Sequence, residues 1–134
     1  MAGNRKTRIL LIDDNDVSRA MLRFILTSEP QYEVVGEAAS GVHGFNLAEQ
    51  LRPDLVCLDV VMPDMNGLDV LRQIKLQWPK TVVLMVTGSN DSETVKQAVQ
   101  GGAGGYIVKP FNPATLLATM AQALAQASAA PGKK

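Results

Sequence analysis

The chain has 134 residues, and 13 lysines plus arginines balance 13 aspartates plus glutamates, so its formal net charge is zero. That length fits one domain with a single core, and balanced charge without a Lys/Arg-rich tract removes the long-range field that draws proteins to nucleic acid or acidic membranes; no direct nucleic-acid or membrane binding is expected. Cys57 is the lone cysteine and excludes an internal disulfide, no apolar stretch is long enough to span a bilayer, and Met1–Lys6 lead into a strand instead of a signal-peptide core, so a cytoplasmic location is expected.

The first apolar run, Arg8 to Ile12, reads as a strand that stops at Asp13-Asp14. Val17, Ala20, Met21, Phe24, Ile25 and Ser28 then recur at three-and-four spacing, which predicts one apolar stripe on a helix that ends before Pro30, with Asp16 as its cap. Tyr32 to Ala38 alternates polar with apolar residues like an edge strand. Ser40 opens a second helix carrying Val42, Phe45, Leu47, Ala48 and Leu51, broken by Arg52-Pro53-Asp54. His43 falls on this helix, where a surface role is expected. Leu55 to Leu58 is apolar at successive positions, as in a parallel strand covered on both faces, which places it centrally and makes Cys57 a small buried hydrophobe.

Met62 to Gly67 is rich in turn formers, after which Leu68, Val70, Leu71, Ile74 and Leu76 restore helical spacing up to Trp78-Pro79. Val82 to Val86 is a fourth strand. Asn90, Asp91 and Ser92 are alternative caps for a helix through Val95, Ala98 and Val99, which the glycines at 101, 102, 104 and 105 terminate; that glycine content either loosens the following loop or satisfies turn geometry. Gly105 to Val108 is a short fifth strand. Asn112-Pro113 starts the last helix, with Leu116, Leu117, Met120, Ala121 and Leu124 as its packing face. From Ser128 onward the pattern weakens, so 128–134 is expected to be a tail or the start of a linker. Five strand-helix alternations predict an α/β doubly wound sandwich with a parallel sheet.

In such a sheet the carboxyl ends of all strands share one edge, so Asp13-Asp14, Asp59, Thr87 and Lys109 converge on one cleft although the first and last lie far apart in the chain. Taken singly, each has an ordinary explanation: a solvated turn for the acid pair, a β-former for Thr87, a solvated charge for Lys109. Together they describe a site. Three carboxylates repel one another, and Mg²⁺ relieves that repulsion while keeping coordination positions for water and phosphate oxygens, with Mn²⁺ as an alternative ion. A lysine opposite the metal and a hydroxyl between them complete a pocket for a dianion. The arrangement suits phosphoryl transfer onto a carboxylate, with Asp59 as nucleophile.

These residues stand in motifs: Asp13-Asp14, Asp59 followed by Met62-Pro63 and Met65-Asn66-Gly67, Thr87-Gly88, Gly102-Ala103, Gly105-Tyr106 and Lys109-Pro110-Phe111. From about residue 7 to residue 127 the chain resembles a response-regulator receiver domain of two-component signalling. That resemblance implies a flavodoxin-like sheet of order 2-1-3-4-5 with five helices. It implies Asp59 as phosphoacceptor and metal ligand, Asp14 as a direct Mg²⁺ ligand, Asp13 acting largely through water, and the Val61 carbonyl as a further ligand. Thr87 and Lys109 would contact the phosphoryl group, the Gly88 N–H would donate to it, and Lys109-Pro110 would be cis. Tyr106 matches the switch aromatic, whose ring would move inward after phosphorylation. The implied donor is a histidine kinase or histidine phosphotransfer protein, and the implied output is binding to a protein target or an attached output domain, with a phosphorylation-dependent dimer left open.

Val61, two residues after Asp59, and Ser89, two after Thr87, are neither acidic nor amide-bearing. An apolar Val61 cannot orient an attacking water, so slow hydrolysis of the phosphorylated form is expected. Rival chemistries fit less well. A haloacid-dehalogenase-like phosphatase needs an aspartate where Val61 stands, Asp13-Asp14 would repel the phosphate of a flavin nucleotide, and the glycine-lysine motif of a P-loop is missing. A receiver portion of a longer regulator, with an output domain after Pro131-Gly132, is the nearest alternative.

Overall fold

The computed structural model describes residues 5–129; the expected tail from 130 to 134 lies outside the described residues. Five strands, β1 (Thr7–Ile12), β2 (Tyr32–Ala38), β3 (Leu55–Leu58), β4 (Val82–Thr87) and β5 (Gly105–Val108), alternate with helices α1 (Asp16–Thr27), α2 (Gly41–Leu51), α3 (Gly67–Gln77), α4 (Ser92–Gln100) and α5 (Pro113–Ala129). All neighbouring strands are parallel, in the order β2-β1-β3-β4-β5. This is the flavodoxin-like doubly wound sheet expected from the sequence. β3 and β4 are buried along their whole length, whereas β2 sits at an edge and slips register between Ile9 and Leu10 of β1.

Alternation along the strands divides the core into two layers. Ile9, Leu11, Leu55, Cys57, Leu84 and Val86 face α1 and α5, while Leu10, Ile12, Val56, Leu58, Val83 and Met85 face the other helices. Cys57 is buried as expected, and burial pushes its thiol up to about 12.

Four details differ from the sequence expectations. The cap of α1 is Asn15, whose side chain accepts from the Ser18 N–H at 2.8 Å; Asp16 is the first helical residue and pairs with Arg19 instead. The buried side of α1 is Leu22, Ile25 and Leu26, whereas Val17 (70% exposed), Met21 and Phe24 (75%) face outward. The helix carries two adjoining apolar faces, and periodicity alone cannot choose between them. Leu76, Val42 and Val99 are likewise exposed, and Ala123, not Ala121, is buried on α5. Finally, α5 runs through Ala129, past the expected start of the tail at Ser128.

Other terminators follow the expected chemistry. Ser40 and Asp91 cap α2 and α4, Asn112 accepts from the Thr115 N–H at 2.8 Å, and Arg52 ends α2 with a left-handed φ of 48°. Gly102, at φ 100°, makes the left-handed turn after α4 and lets the Ala103 N–H reach the Ala98 carbonyl at 3.0 Å, which accounts for one glycine of the rich segment by turn geometry.

Candidate functional site

The sheet ladder continues one residue past the strand ends and fixes the residues there. Asp13 N–H donates to the Ala38 carbonyl at 3.0 Å, Asp59 N–H to Ile12 at 3.0 Å, and Lys109 N–H to Thr87 at 2.8 Å. Three strand ends are thereby pinned to their neighbours by backbone bonds alone. The acidic loop adds an Asx turn, in which Asp13 Oδ1 accepts the Asn15 N–H at 2.9 Å.

Ligand-capable oxygens of Asp13, Asp14 and Asp59 all lie within 4.8 Å of one another. Asp13 is 1% exposed and Asp59 5%, while Asp14 is exposed. Lys109 Nζ reaches in from the opposite side, 2.9 Å from Asp13 Oδ2 and 2.9 Å from Asp59 Oδ2. Its contact with Asp59 is a hydrogen bond. Its contact with Asp13 has ion-pair distance without hydrogen-bond alignment, which leaves Asp13 Oδ2 buried with no aligned donor. Desolvation raises the Asp13 carboxyl above its ordinary value, and the Lys109 contact offsets only part of that. Desolvation also works against the Lys109 charge, but the close contacts with the Asp13 and Asp59 carboxylates outweigh it and hold the ammonium above its ordinary value. Among these groups one lysine faces three carboxylates, so the cluster is under-neutralised. That is the condition a hard divalent cation relieves, and the orphaned Asp13 oxygen fits such an ion.

Thr87 is fully buried; its hydroxyl accepts the Ser89 N–H at 3.3 Å and, among the described residues, bonds neither the carboxylates nor Lys109. Gly88 follows it with open space, since a Cβ built there meets nothing within 4 Å. Val61 turns its side chain outward, 64% exposed, and its N–H donates to Asp59 Oδ1 at 3.3 Å. Tyr106 is half-buried against the α3/α4 layer, and its hydroxyl donates to the Ser89 carbonyl at 2.5 Å. The ring is therefore already partly inside, where inward movement from solvent was expected. Lys109-Pro110 is cis, as expected. His43 is on α2 and exposed.

Two contributors escaped the sequence reading. Asp64 accepts the Gly41 and Val42 N–H groups at 2.8 and 2.9 Å, tying the loop after β3 to the first turn of α2. Arg19 donates to the Asp13 carbonyl at 2.6 Å. Both act on backbone groups, so residue type gave little signal, although an aspartate in a turn segment facing a helix start is a recognisable capping candidate.

At its carboxyl edge the open parallel sheet thus carries an acidic cluster that could hold a divalent cation, with a lysine reaching into it. The model of the response regulator receiver domain matches residues 9–121, and the chain belongs to that family. It is 38% identical over 125 residues to the nitrate/nitrite response regulator protein NarL of Escherichia coli K12, covering 93% of this chain and 58% of that protein. It is 36% identical to the chemotaxis protein CheY of Thermotoga maritima, over 82% of this chain and 91% of that one. Among solved structures, a CheY-like receiver domain protein from Methanospirillum hungatei JF-1 superposes with a TM-score of 0.85 at 31% identity, covering 92% of this chain and 97% of that one. The chain spans little more than half the length of NarL. No helix among the described residues is long and apolar enough to cross a membrane.

Proposed function

We propose that the chain accepts a phosphoryl group on Asp59 from a histidine kinase or histidine phosphotransfer protein and passes the signal on by protein-protein interaction. The observation that carries this is the cluster itself: Asp13, Asp14 and Asp59 within 4.8 Å, with Lys109 Nζ 2.9 Å from two of them, at the carboxyl edge of the neighbouring strands β1 and β3. An Asp59 carboxylate oxygen attacks phosphorus, the nitrogen-phosphorus bond of the donor phosphohistidine breaks, and the released imidazole nitrogen keeps the electron pair. The product is an acyl phosphate. Asp13, Asp14, Asp59 and the Val61 carbonyl would hold Mg²⁺, or Mn²⁺, which when bound supplies positive charge to the phosphoryl oxygens. Lys109 exchanges a carboxylate partner for the phosphoryl group, and the Gly88 N–H donates to it across the open space beside that residue.

Signalling then uses bonds already in place. The Thr87 hydroxyl holds the Ser89 N–H, and the Ser89 carbonyl holds the Tyr106 hydroxyl. Turning Thr87 toward the phosphoryl group releases Ser89, and with it the anchor of the Tyr106 ring on the face formed by α4, β5 and α5. Residues 7–127 form the receiver unit. The recipient is a separate protein target or an output domain of a longer regulator. A phosphorylation-dependent dimer is a further outcome of the changed face, read by light scattering.

Acetyl phosphate with Mg²⁺ should add one phosphoryl group to the wild-type chain, seen by intact mass, and none to Asp59→Asn. Modification of the mutant would defeat the assignment.

A further inference from the structure

Asp14 is the exposed member of the acidic cluster, and among the described residues its carboxylate has no hydrogen-bond partner. With no partner of its own, the carboxylate turns about a Cα–Cβ bond whose position and direction the backbone sets. The peptide joining Asp13 to Asp14 presents its carbonyl oxygen to Arg19 Nη1 at 2.6 Å, the shortest bond this arginine makes. Arg19 does not swing freely: Nε donates to Glu37 Oε1 at 3.2 Å at the end of β2, and Nη2 donates to Asp16 Oδ1 at 2.8 Å in the first turn of α1. Glu37 is in turn held by Arg23 Nη1 at 2.7 and 2.8 Å. The Arg19 side chain is only 18% exposed.

We infer that Arg19 is a positioning residue for the cation site: it clamps the Asp13 carbonyl against β2 and α1 and thereby aims Asp14 at the space shared with Asp13 and Asp59. The planar guanidinium serves three acceptors on three segments at once, which a lysine ammonium on one flexible stem cannot reproduce. Geometry and charge pull in opposite directions here. Removing a cation beside an acidic cluster raises its attraction for Mg²⁺, whereas releasing the loop lowers it, so the sign of the change identifies which effect governs.

The inference rests on Mg²⁺ binding at the acidic cluster, and the test separates the two. Mg²⁺ titrations at constant ionic strength, without phosphodonor, are followed by backbone amide shifts of residues 13 to 15 and 59 to 61, with melting temperature recorded in parallel. Arg19→Ala should weaken Mg²⁺ binding about 10-fold, the lower end of what partners behind metal ligands contribute. Arg19→Lys, which keeps the charge and one donor, should fall between the two. Binding in Arg19→Ala that is unchanged or tighter than wild type overturns the proposal, as does full wild-type affinity in Arg19→Lys. If Arg19→Ala does not fold, the lysine variant decides alone. A wild-type chain whose amides show no saturable Mg²⁺ response overturns the cation site itself, a result distinct from equal affinities in wild type and variants.

Discussion

Gly67, the first residue of α3, lies directly under the end of β3, and its N–H donates to the Val60 carbonyl at 2.7 Å. A Cβ at this position would overlap the Asp59 carbonyl oxygen and stand 2.7 Å from Val60 Cα and 2.8 Å from the Asp59 carbonyl carbon. These are backbone atoms, so no side-chain rotation relieves the clash. Restoring ordinary contact at 3.4 Å from Val60 Cα needs a displacement of at least about 0.7 Å, and clearing the Asp59 carbonyl oxygen needs more, either of α3 or of the segment carrying Asp59. Overpacking of this kind costs about 1–3 kcal/mol, and for a domain of this size about 3–5 °C of melting temperature accompanies each kcal/mol. Misplacing a reacting group by about 1 Å costs on the order of 100-fold in rate. Gly67→Ala should therefore melt about 3–15 °C lower and take phosphoryl groups from acetyl phosphate about 10–100-fold more slowly. Gly88→Ala is the control, because open space there predicts a melting temperature within about 2 °C of wild type. Calorimetry and time-resolved intact mass measure both quantities. A Gly67→Ala chain with wild-type melting and wild-type phosphorylation would refute the view that the approach of α3 to β3 positions Asp59.

Val61→Asn places an amide where it can orient water near the acyl phosphate, and the phosphorylated form should decay on the order of 10-fold faster; equal lifetimes would sink this account. Asn15→Ala removes the cap of α1 and should cost about 1 kcal/mol, read as a lower urea midpoint with an unchanged slope. Asp64 titrates below its ordinary value, chiefly through its bonds to the Val42 and Gly41 N–H groups. A folded-state pKa below the unfolded one gives stability that is present above the ordinary value of 3.8 and lost as pH falls through the folded value. Asp64→Ala should thus be less stable than wild type at neutral pH and converge with it in acid, so a gap in melting temperature that persists undiminished at low pH contradicts the capping role.

Strand order aside, the sheet was readable because burial on both faces leaves β3 and β4 no polar residues until their ends, where the chemistry begins. That same property made Asp59 and Thr87 visible; Lys109 stood out as the charge ending a short apolar run, β5, that is only partly buried, and Asp13 is buried because it continues β1. The helix faces were less legible. Val17, Met21 and Phe24 satisfy helical periodicity as well as Leu22, Ile25 and Leu26 do, and only the position of α1 over the sheet decides which set is covered. Arg19 and Asp64 were invisible for another reason: each serves a peptide group, and peptide groups are the same at every position. The 2-1-3-4-5 order came from family resemblance, since spacing fixes that crossovers exist but not which edge each strand joins.

The site is built to be incomplete. Among the described residues Lys109 is the one ammonium that contacts the cluster, and it divides itself between Asp13 and Asp59 at equal distances of 2.9 Å while forming an aligned bond with only the second. The Asp13 oxygen thus has the ammonium charge at close range but no aligned donor. Had a second lysine been present, the carboxylates would be satisfied and neither a cation nor a phosphoryl dianion would gain by entering. With one, both would gain under the proposed function: a cation would take the oxygen that Lys109 serves poorly, and the phosphoryl group would compete for a lysine that the cation had made partly redundant. Thr87 fits the same logic. Its hydroxyl is fully buried yet holds only a 3.3 Å bond to Ser89, the weakest tie in the line from Thr87 through Ser89 to Tyr106. In the proposed reaction the charge that Asp59 acquires therefore meets a lysine shared between two carboxylates and a hydroxyl held by one long bond, and Tyr106, tied to Ser89, is the first side chain outside the cleft to feel the exchange.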